Sequence, residues 1–137
     1  MGMKQDALAF FDACETGKGW NVCQQWCAPD ASFSSQTDLF GETRTLKDYT
    51  DSMAHMLEPL PDMRYEMIAF GVDEDRNTIC AAATFLATHT GEGGPVPPTG
   101  KSVATEYCYV IKFDDGKISH MTKIWNDIIA MRQAGWS

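Results

Sequence analysis

Apolar side chains recur at three- and four-residue steps through residues 3–14, where Ala7, Leu8, Phe10, Phe11 and Cys14 make one stripe. That period predicts an amphipathic helix, with Asp12 and Glu15 on its exposed side. Gly17 and Gly19 interrupt the pattern, and a second helix is expected over 20–27, ending where Ala28 precedes Pro29. A turn and a short strand over 33–36 follow. Leu46, Tyr49, Met53, Met56 and Leu57 predict a third helix over 46–60, stopped by Pro59 and Pro61.

Beyond residue 62 the pattern changes to β-like runs. Residues 63–72 and 78–90 flank the polar cluster Asp73-Glu74-Asp75-Arg76-Asn77, and 101–113 and 117–127 flank Asp114-Asp115-Gly116. Each pair reads as a hairpin, the second with the strongest turn chemistry in the chain. A short helix over 128–133 closes the sequence. The run Gly91-Glu92-Gly93-Gly94-Pro95-Val96-Pro97-Pro98 is expected as a rim loop, since neither glycine-rich nor proline-rich backbone holds a strand interior. Helices first and long strands afterwards predict one α+β domain over 1–137, a curved antiparallel sheet covered by the N-terminal helices. The open end of such a cone suits a small apolar guest.

Composition narrows the partners. A formal charge of −8 over 137 residues repels polyanions, so nucleic acid and anionic membranes are excluded. No apolar run approaches membrane-spanning length, and the five cysteines follow no disulfide framework, which together predict a cytoplasmic protein. Cys23 and Cys27 share a helical face without a nearby histidine, and no glycine-rich turn leads from a strand into a helix. Neither a metal nor another cofactor is therefore expected.

Three phrases carry a resemblance. Thr88-His89-Thr90-Gly91-Glu92, then Pro97-Pro98-Thr99-Gly100-Lys101, then Phe113-Asp114-Asp115-Gly116-Lys117-Ile118 stand in an order and spacing that resembles the SnoaL-like polyketide cyclases of the nuclear transport factor 2-like superfamily. The ending Gln133-Ala134-Gly135-Trp136 is similar as well. The resemblance implies a cone-shaped fold and a cofactor-free aldol cyclisation, with an aspartate on the last strand as general acid/base in an apolar cavity. Burial raises a carboxyl pKa and makes it a better proton acceptor near neutrality.

The family spacing, counted back from Gln133, lands on Asn126, with Asp127 beside it. Asn126 in that place would leave a neutral amide that hydrogen-bonds and takes no proton. Strand alternation would then aim Asp127 away from the cavity, and Asp127 could instead cap the last helix. His89 could polarise a carbonyl or anchor the Pro-Pro-Thr-Gly loop. His120 shares a strand face with Thr122, Ile124 and Asn126, which either lines the cavity or faces out. The catalytic candidates are thus Asp127, His89, Asn126 and His120; the pocket candidates are Trp20, Trp26, Tyr49, Met53, Tyr107 and Trp125. Outward apolar residues on an open sheet predict a homodimer.

Overall fold

A computed structural model describes residues 2–137. The elements run α1 (Met3–Glu15), α2 (Trp20–Cys23), one 3₁₀ turn (Gln24–Trp26), β1 (Cys27–Ser35), α3 (Leu46–His55), β2 (Arg64–Asp73), β3 (Thr78–Thr88), β4 (Ser102–Asp114), β5 (Lys117–Trp125) and α4 (Asp127–Ala134). One curved sheet in the order β1-β5-β4-β3-β2 makes the α+β cone, with α1 and α3 on its inner face.

The sheet is mixed, which corrects the antiparallel expectation. β2, β3, β4 and β5 pair antiparallel through their hairpins, but β1 lies parallel to β5, with Ser32 opposite His120 and Ser34 opposite Thr122. The chain enters β1 from the helices and returns through α3, so no hairpin dictates its direction. β1 is also longer than expected, starting at Cys27 and running through Pro29. An edge strand tolerates a proline because its outer amides need no ladder partner. α3 is shorter than its apolar stripe, ending at His55. Pro59 disfavours helical backbone at Glu58, and residues 56–59 unwind into turns.

Phe10, Phe11 and Cys14 of α1, Leu46 and Tyr49 of α3, and Ile79, Tyr109, Ile111, Ile118 and Met121 of the sheet form the fully buried core. A register shift in the β4–β5 ladder takes Lys112 opposite His120 and Phe113 opposite Ile118, leaving Ser119 as an extra residue on β5. Beyond it the alternation is regular: Met121 and Lys123 are buried, whereas Ile124 is exposed. No helix among the described residues is long and apolar enough to cross a membrane.

Candidate functional site

Alternation along β5 decides what reaches the interior. Met121, Lys123 and Trp125 face the helices, and Asp127 continues that phase as the first residue of α4 with 4% of its surface exposed. Its Oδ2 accepts the backbone N–H of Leu39 at 2.8 Å. Asn126 is exposed and supplies the cap: its Oδ1 accepts the amide of Ile129 at 3.4 Å. Capping thus falls to Asn126, and Asp127 is turned inward without a bulge between Lys123 and Asp127.

His120 points to the other side. Its Nδ1 lies 2.6 Å from Ser32 Oγ, and its Nε2 lies 3.0 Å from Ser34 Oγ and 3.1 Å from Thr122 Oγ1. These bonds bridge β5 to the edge strand β1. Partial burial, with the Lys112 ammonium nearby, lowers its pKa from the ordinary histidine value.

His89 is wholly buried where β3 gives way to the proline loop. Its Nδ1 accepts Trp136 Nε1–H at 2.9 Å and the Thr99 amide at 3.3 Å, so the ring proton sits on Nε2. Nε2 has no hydrogen-bond partner among the described residues, and it is close to Gly94, where a Cβ would lie 3.0 Å away. Thr99 Oγ1 donates to the Ala134 carbonyl at 2.6 Å. Gly135, at φ +78°, turns the chain out of α4 so that Trp136 reaches the histidine. His89, Thr99 and Trp136 together fasten the loop to the C-terminal segment.

Between α4 and the mouth of the sheet lies an almost wholly apolar cleft bordered by Leu39, Met56, Phe85, Val103, Trp125 and Trp136. Its free volume is about 20 Å³, room for one water molecule and far less than a polycyclic guest requires. On the other side of Trp125, residues 34–36 and 122–125 border a more open concavity of about 400 Å³. Of the pocket candidates, Trp125 borders both spaces. Tyr49 and Tyr107 lie deeper, Met53 is core, and Trp20 and Trp26 pack against the core and border neither space.

The interior beneath the cleft is polar. Glu15, expected on an exposed helical side, is 1% exposed and accepts Tyr107 Oη–H at 2.5 Å and Tyr109 Oη–H at 2.6 Å. The Tyr109 and Tyr49 hydroxyls touch, and Lys123 Nζ donates to Tyr49 Oη at 2.9 Å. Five rings surround the ammonium, Trp125 at 4.1 Å, Phe40 at 4.9 Å, Tyr49 and Tyr107 at 5.3 Å and Tyr109 at 5.8 Å. Burial lowers the Lys123 pKa to about 8, against the opposing pull of Glu15, Cys14 and Asp127. Burial, with Glu15 close by, raises the Tyr49, Tyr107 and Tyr109 hydroxyls well above the usual tyrosine value. Spacing carries a signal for this pair. Glu15 stands four residues after Phe11, on the apolar stripe, and Lys123 falls between Met121 and Trp125 in the inward phase.

Cys23 and Cys27 are buried, and burial pushes both thiols up to about 12.

A family model of SnoaL-like polyketide cyclases matches residues 5–134, nearly the whole chain. The chain belongs to that family. Solved structures agree on the fold. AclR of Streptomyces galilaeus, a proposed hydroxylase, is 22% identical, with a TM-score of 0.77 over 97% of this chain and 80% of its own. IdmH of Streptomyces antibioticus, a proposed polyketide cyclase, is 18% identical, with a TM-score of 0.79 over 98% and 99%. A proposed SnoaL-like polyketide cyclase of Jannaschia sp. CCS1 is 16% identical, with a TM-score of 0.80 over 98% and 92%. No curated protein matches the chain. At these identities the neighbours speak for the fold and not for a substrate.

Proposed function

We propose that this SnoaL-like domain is a cofactor-independent enzyme that moves a proton on a hydrophobic, carbonyl-bearing molecule, in the manner of a cyclase or isomerase. The observation that carries this reading is the placement of Asp127. It is a buried carboxylate at the start of α4, two residues past the end of β5 and in sequence between the cleft residues Trp125 and Ala130, with one oxygen held by the Leu39 amide. Asp127 is the base that takes a proton from the carbon beside the carbonyl. The partnerless Nε2–H of His89, next to the cleft residue Trp136, is the donor for the enolate oxygen. A guest enters when Leu39 and Trp136 part, because the closed cleft holds no more than water.

The test is incubation with hydrophobic 1,3-diketones and aryl ketones in D₂O, following α-deuterium uptake by mass spectrometry and binding by thermal shift. Asp127→Asn keeps an acceptor for the Leu39 amide, and it should slow exchange by about a hundredfold or more. Wild-type exchange no faster than buffer would end the enzymatic reading. A non-catalytic binding protein is the second reading, favoured by the anchored Asp127 oxygen. Its signature is thermal stabilisation by a guest without deuterium uptake.

The same proposal takes the chain as one cytoplasmic domain, its thiols free, that pairs with a second copy through exposed Ile68 and Ile124. Sedimentation of wild type against Ile124→Lys tests the pairing.

A further inference from the structure

The carboxylate reading leaves Lys123 without a task, although it is an amine enclosed by aromatic rings inside a protein of the fold's ligand-binding kind. Its surroundings are more specific than packing requires. Lys123 Nζ donates to Tyr49 Oη at 2.9 Å, the Tyr49 hydroxyl touches that of Tyr109, and Tyr109 donates to Glu15 Oε2 at 2.6 Å. A carboxylate only accepts, so the Tyr109 proton points to Glu15, its oxygen is open to the Tyr49 proton, and the Tyr49 oxygen is open to Lys123. The chain has one direction, from an ammonium to a carboxylate. Shifting one proton along it converts ammonium and carboxylate into neutral amine and carboxylic acid, with no change of net charge in the interior.

We infer that Lys123 is a nucleophilic amine that condenses with an aldehyde or ketone guest to form an imine, with Tyr49, Tyr109 and Glu15 receiving the proton it must lose first. The amine lone pair attacks the carbonyl carbon, and a proton passes from the nitrogen to the carbonyl oxygen to give a neutral carbinolamine. The proton held on Glu15 returns along the tyrosines to the new hydroxyl, the carbon–oxygen bond breaks, water departs, and the C=N bond of a protonated imine remains. No oxidant, reductant or second substrate is needed.

Access and charge both fit this role. Lys123 and Trp125 are both among the residues that border the concavity beside residues 34–36, and the Trp125 ring lies over the amine, 4.1 Å from Nζ. The charged and titratable groups that face the amine are Glu15 and Cys14 of α1, Tyr49 of α3, Tyr107 and Tyr109 of β4, and Asp127 of α4. Burial outweighs the three acidic groups among them, so a reactive fraction of free amine exists near neutral pH. The surface lysines have no such enclosure. The inference shares the carbonyl class of guest with the proton-transfer reading, but its readout needs no turnover, so the two fail separately.

The experiment treats the intact chain with 2-naphthaldehyde and sodium cyanoborohydride over a range of pH and maps the reduced adducts by peptide mass spectrometry. The expected result is modification of Lys123 at least about tenfold faster than of Lys4, Lys47 or Lys101 near pH 8, falling off as the pH is lowered. Trp125→Ala, which removes the ring that covers the amine, should raise the Lys123 rate. Glu15→Gln, which removes the negative charge that holds the ammonium, should move the onset of trapping to lower pH. Wild-type mapping carries the test even if a variant fails to fold. Labelling confined to surface lysines, or a Lys123 rate no faster than theirs across the pH range, would overturn the inference.

Discussion

On the inner side of β5, Lys123 sits under five aromatic rings and Asp127 is tied to the Leu39 amide, both almost out of reach of water. On the outer side, His120 bonds three hydroxyls and Asn126 caps α4, both partly in solvent. The outer groups exchange water for protein partners at little gain, because water remains available to them. The inner groups have no such fallback. A polar side chain removed there leaves its partners stranded in a medium where unpaired charge is costly. The same strand therefore carries one set of residues that the fold depends on and another that it can lose.

The sharpest way to break that contrast is Glu15→Leu. It removes the acceptor of Tyr107 and Tyr109 and leaves the Lys123 charge uncompensated, so urea denaturation should show a loss of about 3–5 kcal/mol. A comparable loss from His120→Gln would abolish the distinction between the faces.

The pH dependence of stability sharpens it next. Folding lowers the Lys123 pKa from 10.5 to about 8, so between those values the unfolded chain holds more protons and stability rises with pH. Below about 8 both states are protonated, and the cost of burying the charge, roughly 3 kcal/mol, stands in full. Cys14, Tyr49 and Tyr109 have raised pKa values and act in the opposite sense, losing stability as the pH climbs past their unfolded values. The lysine contribution is thus read as the difference between wild type and Lys123→Met, measured by urea titration across this range.

Tyr49→Phe strands the ammonium and costs about 2 kcal/mol by the same measurement. Asn126→Ala removes a helix cap at a cost of about 1 kcal/mol. His120→Gln keeps hydrogen-bonding capacity on a partly solvated site and should stay within about 0.5 kcal/mol of wild type.

The strands and their hairpins were legible because alternation and turn chemistry are local. Asp115 and Gly116 adopt the positive φ that the Asp-Asp-Gly turn requires, and Asn77 does so in the other turn. The parallel partner of β1 was not legible, since no local signal selects the strand that a distant edge segment joins. Family spacing pointed to Asn126, whereas the strand phase turns Asp127 inward. Counting back from Gln133 does not set the phase, which only the positions of Met121, Lys123 and Trp125 in the sheet fix. Glu15 stands on the apolar stripe four residues after Phe11, but an acid at the end of an amphipathic helix ordinarily meets water, so the spacing alone does not separate a buried glutamate from a solvated one. Its burial depends on Tyr107, Tyr109 and Lys123, residues over ninety positions away that only the folded sheet brings to it.

The left-handed turn at Gly135 places an indole against His89 and leaves the Ala134 carbonyl free to hold Thr99. Clipping the chain behind Gly135 would therefore reach the loop before Lys101, whose His89 would lose its indole partner, and one wall of the cleft would go with it. Trimming Trp136 removes the indole from His89 and from the cleft wall while the Thr99 bond to the Ala134 carbonyl stays in place, so a cut there loosens one side of the mouth of the cone and leaves the other fastened.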